Sequence, residues 1–159
     1  MANPSPAGTA HTPASTTPLE DGFSTKITIA ADADIDFWEK SVTPPGVEGG
    51  DAIETTTMHS TTWRTFRARA LKTATEVTAT VAYDPVAYDQ IVAVVNNDDT
   101  TITIHFPNGD TIAFYGYLRS FIPNEMTEGA QPEAVITIVP TQWDVGSGEP
   151  SDALFYTSS

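Results

Sequence analysis

The chain contains no cysteine, and that absence removes a disulfide framework, a thiolate zinc site and a cysteine nucleophile together. Positive charge is scarce as well. Against 21 Asp plus Glu stand 7 Lys plus Arg, a formal net charge of −14 over 159 residues, so the surface repels phosphate and ordinary nucleic-acid binding is disfavoured. Long apolar runs are missing. The longest, Ile91 to Val95, falls far short of the ~20 residues a bilayer-spanning helix needs. Met1 to Thr17 has no Lys or Arg and is broken by Pro4, Pro6 and Pro13, which is not the pattern of a secretory leader; a cytoplasmic, soluble product is expected. No GxSxG, Walker, HExxH or GxGxxG motif occurs, so nothing raises the expectation of an enzyme or a cofactor.

What remains is strand-forming. The chain is 40% hydrophobic and 18% charged, with much of the polar remainder carried by Thr and Ser, which favours strands over disorder. A length of 159 residues suits one domain. Residues 1–22, a Pro, Ala, Ser and Thr mixture without hydrophobic period, read as a flexible N-terminal arm. Residues 23–145 read as the domain and 146–159 as a polar C-terminal tail. Ile27, Ile29 and Ala31 alternate with polar residues, and the pattern runs on through Ala33, Ile35 and Phe37 with Asp32, Asp34 and Asp36 opposite. Thr43 to Gly50 reads as turn chemistry, and Ile53 to Met58 as a short strand. Thr75 to Tyr83 alternates again. Asp84 suits a cap and Pro85 a first helical position, so a single helix is expected over Asp84–Val95. Thr100 to Phe106 and Thr111 to Ile122 form a hairpin about Pro107-Asn108-Gly109-Asp110, and a last strand covers Ala134–Val139. The expected class is mainly β: an antiparallel sandwich or barrel with one flanking helix.

Several groups invite a chemical reading. Asp32, Asp34 and Asp36 imitate the start of a calcium loop, but the sixth and twelfth positions hold Phe37 and Thr43 where that loop needs Gly and Glu. They read as one acidic strand face. His11, His59 and His105 lack ligand spacing, and His105 belongs to sheet packing. The cations are more telling, because Arg64, Arg67, Arg69 and Lys72 fall in one stretch and no Asp or Glu lies between Thr55 and Thr75. Residues 59–73 are too many for a hairpin turn and also carry Trp63, Phe66 and Leu71. Such a loop either folds back on its own domain or reaches an acidic neighbour of the same kind. In the second case Trp63, Phe66, Arg64, Arg67, Arg69 and Lys72 form a subunit interface.

Order and identity of these pieces resemble a known family. Gly50-Asp51-Ala52-Ile53-Glu54-Thr55-Thr56-Thr57, a loop with Trp63-Arg64, then Ala70-Leu71-Lys72 and a strand ending Ala82-Tyr83-Asp84-Pro85 are similar to major tail tube proteins of long, non-contractile-tailed bacteriophages. His105-Phe106-Pro107-Asn108-Gly109-Asp110, Phe114-Tyr115-Gly116-Tyr117-Leu118-Arg119-Ser120-Phe121, Glu128-Gly129-Ala130 and Val135-Ile136-Thr137-Ile138-Val139-Pro140-Thr141 continue the match, which spans Ile27 to Thr141. Ala70 departs from the family pattern, which often has Gly there. The resemblance implies a β-sandwich or barrel with one helix and hexameric rings stacked into a virion tail tube. It further implies a lumen that conducts DNA without binding it, and tape measure, tail terminator and distal tail proteins as partners. It implies no cofactor, no metal and no catalysis, with synthesis in the bacterial host cytoplasm. Asp32, Asp34 and Asp36 are the candidates for an acidic lumen lining. The alternative is a monomeric recognition module of carbohydrate-binding or adhesin type, with Trp38 or Trp63 stacking on a ligand. Far-ultraviolet circular dichroism should be dominated by strand; a helix-dominated spectrum refutes both the fold and the family reading.

Overall fold

Apolar residues at every second position become strands with one dry face. The computed structural model describes residues 25–30, 35, 37–97, 100–150 and 155–157. Before the helix run β1 Lys26–Ile29, β2 Glu39–Thr43, β3 Val47–Glu48, β4 Ile53–Glu54, β5 Phe66–Arg67, β6 Thr73–Ala74 and β7 Val77–Ala82. After it come β8 Thr101–His105, β9 Thr111–Pro123, β10 Glu133–Pro140, β11 Trp143–Asp144, β12 Glu149–Pro150 and β13 Phe155–Thr157. The main sheet follows the order β1-β8-β9-β10-β7-β2, and every described pairing is antiparallel. The expected mainly β architecture is therefore what the chain adopts.

Strand β9 belongs to two sheets. Its first half, Thr111–Tyr115, pairs with β8, while Gly116–Pro123 pairs with β10. The change of partner falls at Gly116, where a Cβ would sit 2.6 Å from the Val139 carbonyl oxygen. Ile27, Ile29, Ile102, Ile104 and Phe114 from the first sheet face Val77, Ala79, Val81, Leu118, Ile136 and Ile138 from the second in one buried cluster. Where β1 and β2 come together at the two ends of the strand order, the Ile27 amide donates to Glu39 Oε1 at 2.7 Å. A side chain thus bridges two edges that no ladder joins.

The helix is placed as its sequence signals require. Asp84 Oδ1 accepts from the Val86 amide at 3.0 Å, Pro85 opens a 3-10 turn over Pro85–Ala87, and α1 runs Tyr88–Val94. Ile91 and Val94 are its buried residues, and beyond its end the Asn96 amide donates to the Leu118 carbonyl at 2.9 Å. The Asn108-Gly109 reversal forms too: Gly109 has φ 90°, and the Asp110 amide donates to Asn108 Oδ1 at 2.9 Å. His105 lies in the ladder, 3.0 Å from Thr28 Oγ1.

Glu39–Thr43, which lacks clean alternation, is the edge strand β2 because its partner β7 supplies the ladder and a register shift after Glu39 absorbs the irregular pattern. Two local expectations need correction. Val47–Glu48 lies inside the stretch read as turn chemistry, yet pairs with Thr73–Ala74. The strand expected over Ile53–Met58 is only Ile53–Glu54, because its partner strand is equally short. The C-terminal residues also take part, since Phe155–Thr157 pairs with Thr111–Ala113 of β9, the same residues that β8 pairs from the other edge. Gly116→Ala should lower the unfolding free energy by about 1–3 kcal/mol, the usual cost of forcing an atom into a packed site, measured by urea denaturation of the monomer; an unchanged midpoint would contradict the close approach.

Candidate subunit interface

The basic stretch belongs to an arm that begins well before it. β2 and β7 are paired neighbours, and the chain between them continues their ladder outward as β3 with β6 and then β4 with β5. Residues 59–73 are hence the tip and the returning strand of one long β-ribbon. Its base is held by the Thr75 amide donating to the Gly46 carbonyl at 2.9 Å and the Gly46 amide donating to Thr75 Oγ1 at 2.7 Å. Farther out, the Thr55 amide donates to the Thr65 carbonyl at 2.8 Å and the Thr65 amide to Thr56 Oγ1 at 3.0 Å. The Ser60 amide closes the tip on the Thr57 carbonyl at 2.9 Å.

Apart from half-buried Ser60, every residue from 46 to 73 is exposed. Trp63 is 81% exposed, Leu71 86% and Phe66 57%. Opposed residues of a ladder share a face, so Ile53 with Arg67 occupies one side of the ribbon and Glu54 with Phe66 the other. Neither side is an inside. A two-stranded ribbon without a covered face is marginal in water, and exposed apolar area of this extent marks an interaction surface.

All six residues expected at an interface, Trp63, Arg64, Phe66, Arg67, Arg69 and Lys72, lie on this arm at or beyond its tip. Their charges are not equally available. Arg69 Nε donates to the Asp51 carbonyl at 2.8 Å, bracing the arm where its ladder is interrupted. Arg64 Nε lies 3.9 Å from Glu54 Oε1 with both side chains at least half exposed, a contact worth little to stability. Arg67 and Lys72 form no ion pair among the described residues. Sequence reasoning missed Val47, Ile53 and Met58, exposed apolar residues on the outgoing half. The readable signal was their distance from any alternating run. Asp32, Asp34 and Asp36 lie outside the described residues.

Hollows lie away from the arm among the described residues. A groove of about 620 Å³ lies between β1 and β2, bordered by Lys26, Trp38, Lys40 and Gln131. A smaller one of about 320 Å³ is bordered by Tyr115 and Asp144. The Ser147 hydroxyl bond holds the Asp144 carboxyl below its ordinary range despite some desolvation, with help from the Gly146 and Ser147 amides and Tyr115. A carboxylate kept ionised has no proton to donate at neutral pH. Among the described residues, no group of three His, Asp or Glu is placed to hold a metal, and no helix is long and apolar enough to cross a membrane.

At the level of sequence, neither a family model nor a curated relative matches. Solved structures do. A chain in the virion of a native gene transfer agent particle superposes with TM-score 0.58 at 9% identity, over 88% of this chain and 100% of that one. A chain in the 6-fold symmetrised baseplate of the anti-feeding prophage gives TM-score 0.59 at 8% identity, over 80% and 93%. A chain in the tail of an empty gene transfer agent particle, refined with C6 symmetry, gives 0.53 at 8% identity, over 89% and 99%.

Because Trp63 touches no core, Trp63→Ala should change the unfolding free energy of the dilute protein by less than about 0.5 kcal/mol, as is usual for surface positions. A loss of 2 kcal/mol or more in a denaturant titration would mean the arm packs on its own body. The likeness to the three solved chains is one of fold: this chain has the mainly β fold of those chains of gene transfer agent and anti-feeding prophage particles.

Proposed function

We propose that the chain is the repeating subunit of a phage tail tube, in which copies close into six-membered rings, the rings stack, and DNA passes along the lumen during ejection. The observation that carries this reading is the arm, a ribbon with exposed Trp63, Phe66 and Leu71 and four of the chain's seven cations. Burying each large apolar side chain against a neighbour contributes roughly 1.5–3 kcal/mol, which a solitary chain forgoes. Arg64, Arg67 and Lys72 then meet carboxylates of a neighbour whose own charge is −14. The fold likeness to chains of a C6 tail and a 6-fold baseplate supports the ring of six.

The role is structural, with neither catalysis nor a cofactor. The expected location is the virion, after synthesis in the host cytoplasm, and the further partners are tape measure, terminator and distal tail proteins. An acidic wall suits a DNA conduit because like charge prevents sticking. Asp32, Asp34 and Asp36, on alternate positions of the sequence, are proposed to contribute to it.

Purified protein at high concentration should form rings or tubes visible by negative-stain electron microscopy. Reversing both Arg64 and Arg67 to Glu should leave the circular dichroism spectrum unchanged and abolish the tubes. A wild-type chain that stays monomeric at every concentration and salt, while binding glycans through Trp38 or Trp63, would establish the recognition module instead.

A further inference from the structure

The arm is made of two pieces that do not share a register. Its inner piece extends the main sheet: Thr43 pairs with Thr78, Val47 with Ala74 and Glu48 with Thr73, and the two bonds between Gly46 and Thr75 fall in step between them. In the outer piece Ile53 pairs with Arg67 and Glu54 with Phe66. Between Glu48 and Ile53 lie four residues, 49–52, whereas between Arg67 and Thr73 lie five, 68–72. The extra residue on the returning side shifts the pairing by one and interrupts the ladder, as a bulge does.

Each piece is well tied, and the joint between them is not. In the outer piece the Thr55 amide donates to the Thr65 carbonyl at 2.8 Å, the Thr55 hydroxyl to Thr65 Oγ1 at 3.0 Å and the Thr65 amide to Thr56 Oγ1 at 3.0 Å. Across the joint, among the described hydrogen bonds, only a side chain reaches over, from Arg69 Nε to the Asp51 carbonyl at 2.8 Å. Two glycines stand opposite it. Gly50 has φ 72°, and a Cβ there would lie 3.3 Å from Arg69 Cδ, so the bare backbone is the seat on which the arginine stem rests. A Cβ on Gly49 would meet nothing within 4 Å. Packing does not require glycine at that position, so what it contributes is backbone freedom. Apart from half-buried Ser60, every residue from 49 to 72 is exposed, so burial against the body does not fix the outer piece.

We infer that the arm carries a hinge at Gly49-Gly50, about which residues 51–67 swing as one stiff piece, and that Arg69 is the latch of this hinge. A hinge concentrates the change of φ and ψ in a few residues while the parts on either side keep their bonds. Swinging at this joint gives up one exposed side-chain bond, whereas bending anywhere else along the arm breaks the ladder itself. The spare residue in 68–72 gives the returning strand the slack to follow. The hinge belongs to the single chain and does not depend on the tube reading; it adjusts the direction of the arm against the body without unmaking the ribbon.

The absence of native cysteine makes the test direct, because two introduced cysteines carry spin labels without background. In the full chain at low concentration, Thr62→Cys with Thr78→Cys spans the joint, and Ala52→Cys with Thr62→Cys lies wholly on the outer piece; all three positions are exposed. Distance distributions are read by double electron–electron resonance. Arg69→Ala should widen the spanning distribution about twofold and leave the outer one unchanged, since the latch is lost and the ladder beyond it is not. Gly49→Ala, whose methyl has room, should narrow the spanning distribution by restricting the backbone. If Arg69→Ala widens both distributions, Arg69 holds the ladder together, the outer piece frays and there is no hinge. If Arg69→Ala widens neither, the arm is stiff across the joint and the latch is refuted. A spanning distribution that widens in Arg69→Ala but keeps its wild-type width in Gly49→Ala overturns the placement of the hinge at the glycines.

Discussion

Strand β9 is the constraint on which the body depends, because its two halves serve two sheets. The first half is laddered to β8 and the second to β10, so both sheets keep one continuous backbone and cannot slide past each other. The crossing point tolerates no side chain, since Gly116 lies against the Val139 carbonyl. A register shift between Thr137 and Ile138 follows on the partner strand, an irregularity that increases local twist and lets the second sheet curl toward the first. Once this strand is set, Phe114 and Leu118 point into the same interior from different sheets.

The arm is built on the opposite principle. Its backbone bonds are made within the ribbon, so it has a defined shape, yet nothing covers either of its faces. Body and arm are continuous through the β2–β7 pair, so the main sheet carries the ribbon. That arrangement suits a docking element: its cost of ordering is already met in part before a partner arrives. Arg69, spent on the Asp51 carbonyl, belongs to the arm's own architecture, whereas Arg67 and Lys72 form no ion pair among the described residues.

Net charge sets the terms on which copies meet. Chains of −14 repel one another, and repulsion between whole bodies is screened within about 10 Å at ordinary salt. Concentrating four of seven cations on a projecting ribbon turns a general repulsion into attraction at one orientation. On the proposed function, the same surplus of carboxylates that would keep a tube from trapping DNA would give the arm its target.

The sequence by itself determined the strand-rich class, the Asp84–Pro85 start of the helix and the Asn108-Gly109 reversal. These follow from local physics: alternation, a capping carboxylate, a fixed proline φ and a residue free to take positive φ. It also singled out Trp63, Arg64, Phe66, Arg67, Arg69 and Lys72, because a cationic, aromatic stretch in so acidic a chain has no local explanation. Tertiary structure alone decided that these residues stand on a ribbon rather than in a loop. Val47–Glu48 and Phe66–Arg67 are too short to show a period, and each is a strand only because a partner distant in sequence supplies its hydrogen bonds. It alone also set the base of the arm at the Val77 end of β7 and the loop between β9 and β10 at its Ala82 end, since separation in space depends on which strands pair, and no window of sequence contains that pairing.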